Sequence, residues 1–225
     1  MRGLFVTGTD TGVGKSVVAA AACAALAAAG TRVAAFKPAV TGLDDPAGEW
    51  PHDHELLASA AGSGQAADEV APYRFGPPLS PHFAAELAGS AIEPERLVAA
   101  ARAATTDAEA LVCEGVGGLM VPLTPGYLVR DLAVELGLAL VVAARTGLGT
   151  INHSLLTVEA ARAAGLTVAG IVMTPWPPEP LAIERSNRET VERLCGVPVS
   201  VLPPTHPGSL AQAGAQLPIG SWLAG

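Results

Sequence analysis

"GLFVTGTDTGVGKSVVAA", residues 3–20, joins an apolar run to an alanine-rich run through a turn of glycine, threonine and aspartate. Phosphate-binding loops follow G-x-x-x-x-G-K-[ST] between a strand and a helix. Gly14, Lys15 and Ser16 supply the end of that pattern, but Thr9 stands where the first glycine belongs, and Gly8 comes one residue early. The context favours the loop: Gly8 follows a run that reads as a strand, and a helix is expected from about Gly14. The N–H groups of residues 12–16 would then face the turn and, with the helix dipole, form an anion site. Lys15 would reach the β- and γ-phosphates of a nucleotide, and Ser16 would hold Mg²⁺. The alternative is a Gly-rich turn with a solvated Lys15, which the strand–GKS–helix order outweighs.

Further runs repeat the alternation. Strands are predicted at 3–8, 32–38, 110–115, 138–144, 167–173 and 197–202, and helices at 15–29, 53–61, 82–89, 94–104, 128–136, 151–164 and 179–195. Residues 39–52 carry Gly42, Pro46, Gly48 and Pro51 and read as a loop, and Pro72 to Pro81 punctuate an irregular stretch. The strands are short and apolar on both faces, as in a parallel sheet covered on both sides. The predicted fold is therefore α/β: a single-domain P-loop NTPase fold over residues 1–225, with a mostly parallel, doubly wound sheet and helices on both faces. Ligands in such folds sit at the carboxyl ends of the strands.

At 225 residues and 50% hydrophobic, the chain can bury a full core. The net charge of −8, with no Lys/Arg cluster, argues against a nucleic-acid partner. The three cysteines, Cys23, Cys113 and Cys195, are widely spaced and read as buried thiols of a cytoplasmic protein. The run 17–30, "VVAAAACAALAAAG", imitates a signal-peptide core. It is too short to span a bilayer, and Asp10 sits in what would be the basic leader, so a buried Ala-rich helix is expected and no membrane.

Several polar residues fall where chemistry would be. Glu114 ends the 110–114 run, where P-loop proteins keep a metal-facing carboxylate; a buried acid partnered by a lysine is the alternative. Asp53 starts a helix and reads first as a plain N-cap. Lys37 ends the second strand, beside the first in most P-loop folds, and either faces the ligand crevice or is a solvated strand-end cation. "PHDHE", 51–55, has a His-x-His spacing, but without a distant partner His52 and His54 read as solvated loop residues. In "GLGTINHSLL", 147–156, Thr150, Ile151 and Asn152 would present free N–H groups to an anion; capping by Thr150 or Asn152 is the simpler reading, and His153 is expected to be structural.

Five segments in order, "VTGTDTGVGKS", "FKPAVTG" (36–42), "SPHFAA" (80–85), "CEGVGGLMVPL" (113–123) and "LGTINHSLLT" (148–157), resemble the dethiobiotin synthetase family of the biotin pathway. The resemblance covers nearly the whole chain, and the family's loop has the same extra residue between its glycines. It implies that 7,8-diaminopelargonic acid, CO₂ and ATP or another nucleoside triphosphate are the substrates, with Mg²⁺ required. A carbamate on one amine would attack the γ-phosphate, and the second amine would close the ureido ring and expel phosphate. Two lysines and a metal suit the charge that develops.

By position, the resemblance implies that Lys15 and Lys37 are catalytic, and that Thr11 and Thr41 touch the amine or carbamate. Ser16, Asp53 and Glu114 would hold Mg²⁺, so Asp53 becomes a ligand rather than a cap. Nucleotide contacts would come from Gly12, Val13, Gly14, Lys15, Ser16, Val17, Asp53, Glu114, Gly115, Val116, Gly117, Thr174, Pro175, Leu202, Pro203 and Pro204. Thr150, Ile151 and Asn152 would bind the substrate's tail carboxylate in the partner's site, making a homodimer. There are departures. Thr174 replaces an asparagine that often reads adenine, and it lacks the paired donor and acceptor of an amide, so other triphosphates come into question. Gly12 stands where relatives often carry glutamate. Of the competing functions, cobyrinic acid a,c-diamide synthases need a glutaminase domain for which 225 residues leave no room. Partner-acting switch ATPases carry a signature lysine where this chain has Asp10.

Overall fold

Runs that are apolar on both faces cannot sit at a sheet surface. In the computed structural model, which describes residues 2–224, they line up as one six-stranded parallel sheet. The chain opens with β1 (Gly3–Gly8), α1 (Lys15–Ala28), β2 (Val33–Phe36), β3 (Ala39–Val40) and α2 (Asp53–Ala61). It continues through α3 (Ala67–Val70), β4 (Tyr73–Arg74), α4 (Pro81–Leu87), α5 (Pro94–Ala103) and β5 (Ala110–Gly118). A small hairpin, β6 (Pro122–Thr124) and β7 (Tyr127–Leu128), leads into α6 (Val129–Leu136), β8 (Ala139–Ala144) and α7 (Thr150–Ala163). Then come β9 (Val168–Met173), α8 (Ala182–Cys195), β10 (Val199–Val201), α9 (Leu210–Gly214) and α10 (Ile219–Trp222).

Across the sheet the order is β10-β9-β8-β1-β5-β2. Successive side chains alternate between faces. Phe5, Leu111, Cys113, Leu140, Val142 and Ile171 meet Leu97, Leu132, Val158 and Val191 from α5, α6, α7 and α8. Leu4, Val6, Val112, Val141 and Val172 meet Val18, Leu57 and Leu210 from α1, α2 and α9 on the other side. Each large side chain buried this way contributes about 1.5–3 kcal/mol, and the two layers hold every strand end in a fixed place.

Several expectations are corrected. β2 does not lie beside β1: β5 is inserted between them, pairing with both. The strand carrying Glu114 does not end there but runs on to Gly118, which pairs with Gly8 past an irregularity after Val6. The expected loop 39–52 begins with β3, which pairs in parallel with β4 in the stretch expected to be irregular. The short helices α3, α9 and α10 span too few residues to show a period.

The alanine-rich run is α1, and its small side chains have a packing reason. Ala19, Ala20, Ala21 and Ala22 are buried between the sheet and α9, where a Cβ at Gly214 would overlap the Ala21 carbonyl oxygen. No described helix is long and apolar enough to cross a membrane. Gly214→Ala therefore forces two backbones apart and should cost about 1–3 kcal/mol. The check is a urea melt, in which the midpoint falls at unchanged slope.

Candidate active site

Two glycines shape the turn after β1. Gly14 is the N-cap of α1, with φ +86°, and a Cβ there would come within 2.6 Å of Thr174 Cγ2. A Cβ at Gly8 would lie 2.8 Å from the Asp10 carbonyl oxygen and 2.9 Å from Lys15 Cδ. The early glycine thus leaves room for Lys15 to fold back over its own loop, where Nζ donates to the Asp10 carbonyl at 2.9 Å. Lys15 is buried rather than solvated. The Asp10 carboxylate accepts from the Thr11 N–H at 2.7 Å and pairs with Arg145, at the end of β8, at 2.9 Å.

Three distant segments meet below this loop. Lys37 Nζ, just past β2, lies 2.6 Å from Glu114 Oε1 and 2.8 Å from Asp53 Oδ2. Ser16 Oγ donates to the same Glu114 oxygen at 2.8 Å. Lys37 is 3% exposed and Glu114 0%, so Lys37 is not a solvated strand-end cation. Glu114 is a buried acid partnered by a lysine, and it sits against the loop hydroxyl as well. Asp53 is not the N-cap: His52 holds that place and its N–H donates to Glu55, which leaves the Asp53 carboxylate for Lys37.

Burial works to raise Asp53, yet the Lys37 ammonium outweighs it and holds the carboxyl at about 2. For Lys37, burial alone would favour loss of the proton, but Asp53 and Glu114 hold it well above the ordinary lysine range. Burial raises Glu114 against the pull of Lys37, and it lowers Lys15 against the pull of Glu114. Two carboxylates thus hold Lys37 as a cation.

A cavity of about 660 Å³ opens on this cluster. It brings together Thr11, Gly12, Gly14, Lys15, Ser16, Val17, Lys37, Thr41, Asp53, Glu114, Val116 and Gly117 of the sequence-predicted residues. Val13 and Gly115 stand apart: Val13 is buried in the core, and Gly115 faces Val129 and Phe5. Thr174 is buried against Gly14, outside the cavity lining. Pro175, Leu202, Pro203 and Pro204 follow the ends of β9 and β10, where Leu202 N–H donates to Met173 and its carbonyl accepts from Trp176. Trp50, Leu79 and Ser80 also line the cavity and were not singled out; the only sequence signal for Ser80 was its place in the "SPHFAA" segment.

Thr150, Ile151 and Asn152 form the first turn of α7, away from this cavity. Gly149, φ +88°, is the N-cap, and no side chain caps the helix, so neither Thr150 nor Asn152 does so. Thr150 N–H donates to the Gly147 carbonyl at 3.3 Å, while those of Ile151 and Asn152 find no acceptor among the described residues. His54 is buried rather than solvated, and His52 and His54 gain no third ligand: no group of three His, Cys, Asp or Glu able to hold a metal occurs among the described residues. Mg²⁺ needs no such group, since one or two carboxylates plus phosphates and waters suffice. Ser16, Asp53 and Glu114 are hard oxygen donors of that kind, and Glu114 Oε2 is buried with no hydrogen-bond partner.

A family model described as an AAA domain matches residues 2–207. The chain is similar to the ATP-dependent dethiobiotin synthetase BioD of Anaeromyxobacter dehalogenans strain 2CP-1, with 47% identity over 204 residues and 90% of each chain covered. Against the protein of that name from Bacillus subtilis strain 168 the identity is 37%, covering 88% of this chain and 85% of the relative. Among solved structures, the cell division ATPase MinD of Pyrococcus furiosus superposes with a TM-score of 0.60 at 16% identity, covering 98% of both chains. A ParA family ATPase from Chlorobium tepidum TLS gives 0.57 at 13% identity, covering 96% of this chain and 91% of the other. At these identities the two structures show a shared P-loop fold.

Replacing Lys37 by Met leaves Glu114 buried without its main cation. A carboxyl whose folded pKa is raised contributes stability that is full below its unfolded pKa and lost as pH rises through the folded one. Lys37→Met should cost about 3–5 kcal/mol at neutral pH. Urea melts of the two proteins should show the gap widening as pH rises from about 5 to about 8.

Proposed function

We propose, starting from a chain that belongs to the dethiobiotin synthetase family, that it closes the ureido ring of dethiobiotin from 7,8-diaminopelargonic acid, CO₂ and a nucleoside triphosphate. Its relatives are named as ATP-dependent, and ATP is the co-substrate. The observation that carries the finer reading is the pair of buried lysines with two carboxylates in one cavity beside the phosphate loop. One substrate amine adds to CO₂ and loses a proton, giving a carbamate. A carbamate oxygen displaces the nucleoside diphosphate from the γ-phosphorus, forming a carbamic–phosphoric anhydride. The second amine attacks the carbonyl carbon, phosphate leaves and the ring closes.

Each step places negative charge on carbamate or phosphoryl oxygens, and preorganised donors stabilise it. An ammonium has three donors. Two of those on Lys37 are held by Glu114 and Asp53, which directs the third to substrate. Lys15, bonded only to a backbone carbonyl, swings to the phosphates, and Thr11 and Thr41 contact the amine or carbamate end. Ser16, Asp53 and Glu114 would hold Mg²⁺, whose charge would offset that of the nucleotide's phosphates. Thr174, Pro175, Leu202, Pro203 and Pro204 would border the base. Asp10, tied to Arg145, stands where switch ATPases carry their signature lysine, which favours a synthetase over a switch. Three buried free thiols suit a cytoplasmic protein.

The test is phosphate release and ring closure with diaminopelargonate, bicarbonate, Mg²⁺ and each of ATP, CTP and GTP. Release should require the diamine, and Thr174 should leave base selection loose. Hydrolysis at full rate without diamine would favour the switch. Lys37→Ala should lower turnover by about 10²–10³ while leaving nucleotide affinity near wild type.

The α7 start, remote from its own chain's cavity, completes a partner's site in a homodimer and binds the tail carboxylate there. Leu148, 83% exposed, and Leu156 offer apolar surface beside it. Lys37→Ala and Asn152→Ala, each impaired alone, should complement when co-expressed, since a two-fold dimer rebuilds one intact site in two. Verified mixed dimers that gain no activity would place each site within one chain.

A further inference from the structure

We propose that Asn187 and the Arg145–Asp10 pair are positioning residues: through the strap 145–149 they hold the amino terminus of α7 in register with the phosphate loop. The inference deepens the function proposed above and, for its kinetic part, rests on it. Asn187 lies on α8 and is buried, 6% exposed. Its Nδ2 donates to the carbonyls of Thr146 at 2.9 Å and Gly147 at 3.2 Å. A buried amide is costly unless its donors are satisfied, and here both go to the strap. The Gly147 carbonyl also accepts from Thr150 N–H, and that of Gly149 accepts from His153 N–H at 3.0 Å. Asn187 thus grips the peptide groups from which the first turn of α7 is built, and that turn sets the aim of the Ile151 and Asn152 N–H groups.

The other end of the strap is anchored to the nucleotide side. Arg145 pairs with Asp10, whose second carboxylate oxygen holds the Thr11 N–H and whose carbonyl holds Lys15. Both side chains of the pair are about half exposed. Such a pair stabilises little, and its contribution is geometric: one loop joins the residue that meets phosphate in this chain's site to the turn that meets the carboxylate in the partner's. Asn187 acts on the carboxylate end alone, whereas Arg145 touches both.

The experiment is amide hydrogen exchange combined with kinetics on Asn187→Asp, which keeps the shape and removes the donors, and on Asn187→Ala. In either folded variant, exchange of the Thr150 and His153 amides, the hydrogen-bonded N–H groups of this turn, should be about tenfold faster, the factor expected for losing about one hydrogen bond. Exchange in the 8–14 loop should stay as in wild type. The KM for the diamine should rise by about the same factor, with kcat and the nucleotide KM within about twofold, because the tail contact is made equally in ground and transition states. Arg145→Ala should raise both KM values, and Arg145→Lys should recover most of the loss. Unchanged exchange of the Thr150 and His153 amides in both Asn187 variants overturns the positioning role, whatever the protein catalyses. Faster exchange with an unchanged diamine KM overturns it too. If wild-type protein fails to turn over the diamine, the proposed function falls, and the exchange measurement alone decides the strap.

Discussion

The ion pairs of Lys37 with Glu114 and Asp53 join three pieces of chain that lie far apart in the sequence. Glu114 points into the sheet's covered interior, where an isolated carboxylate could not stay ionised. Lys37 comes from the edge of the sheet, and Asp53 comes from the helix that follows the longest loop on that side. The inserted position of β5 makes the meeting possible. Because β5 lies between β1 and β2, Glu114 stands next to the loop hydroxyl of Ser16 on one side and Lys37 on the other. A sheet with β2 directly beside β1 would put Lys37 against the phosphate loop and leave Glu114 without its cation.

That arrangement separates the two lysines by environment. Lys37 keeps its proton because carboxylates outweigh burial, and its position is fixed by two short contacts. Lys15 is held by one backbone carbonyl, and burial makes its charge costly. In the proposed reaction the first is a preorganised donor and the second is drawn toward an incoming anion, which relieves the cost of its burial. The same residue type therefore serves as a fixed post and as an arm, and the difference comes from the neighbours each lysine meets.

The six strands were legible because each is a short, mainly apolar run, and α1, α7 and α8 because each follows one of those strands directly. Asp53 shows where that reading ends. Its place at the head of a helix looked like capping, but capping needs the residue one step earlier, and His52 is there. What draws Asp53 inward is Lys37, a contact set by the tertiary fold and invisible in spacing. His54 was expected in solvent because the His-x-His pair lacked a distant metal partner, yet at the second position of α2 it is buried. Asn187 lies in the polar-looking α8 sequence, and Arg145 is 135 residues from Asp10 in the chain, so neither bond has a local signature. The helices of four or five residues near the carboxyl end bury Leu210, Ile219 and Trp222 without repeating a period.

The early glycine of the opening stretch acquires a physical meaning from these contacts. Placing it at residue 8 rather than 9 adds one residue between the strand and the lysine. The lengthened turn presents Asp10 with its carbonyl inward to Lys15 and its carboxylate outward to Arg145. Switch ATPases of this fold carry a lysine at that position. An acid there, neutralised by an arginine of the same chain, braces the loop from within. The brace runs on through the strap to α7, so the loop is tied to its own sheet by contacts within the chain. In the proposed reaction, where a small diamine is held against a phosphoryl group, a loop fixed in advance lowers the ordering cost of each turnover.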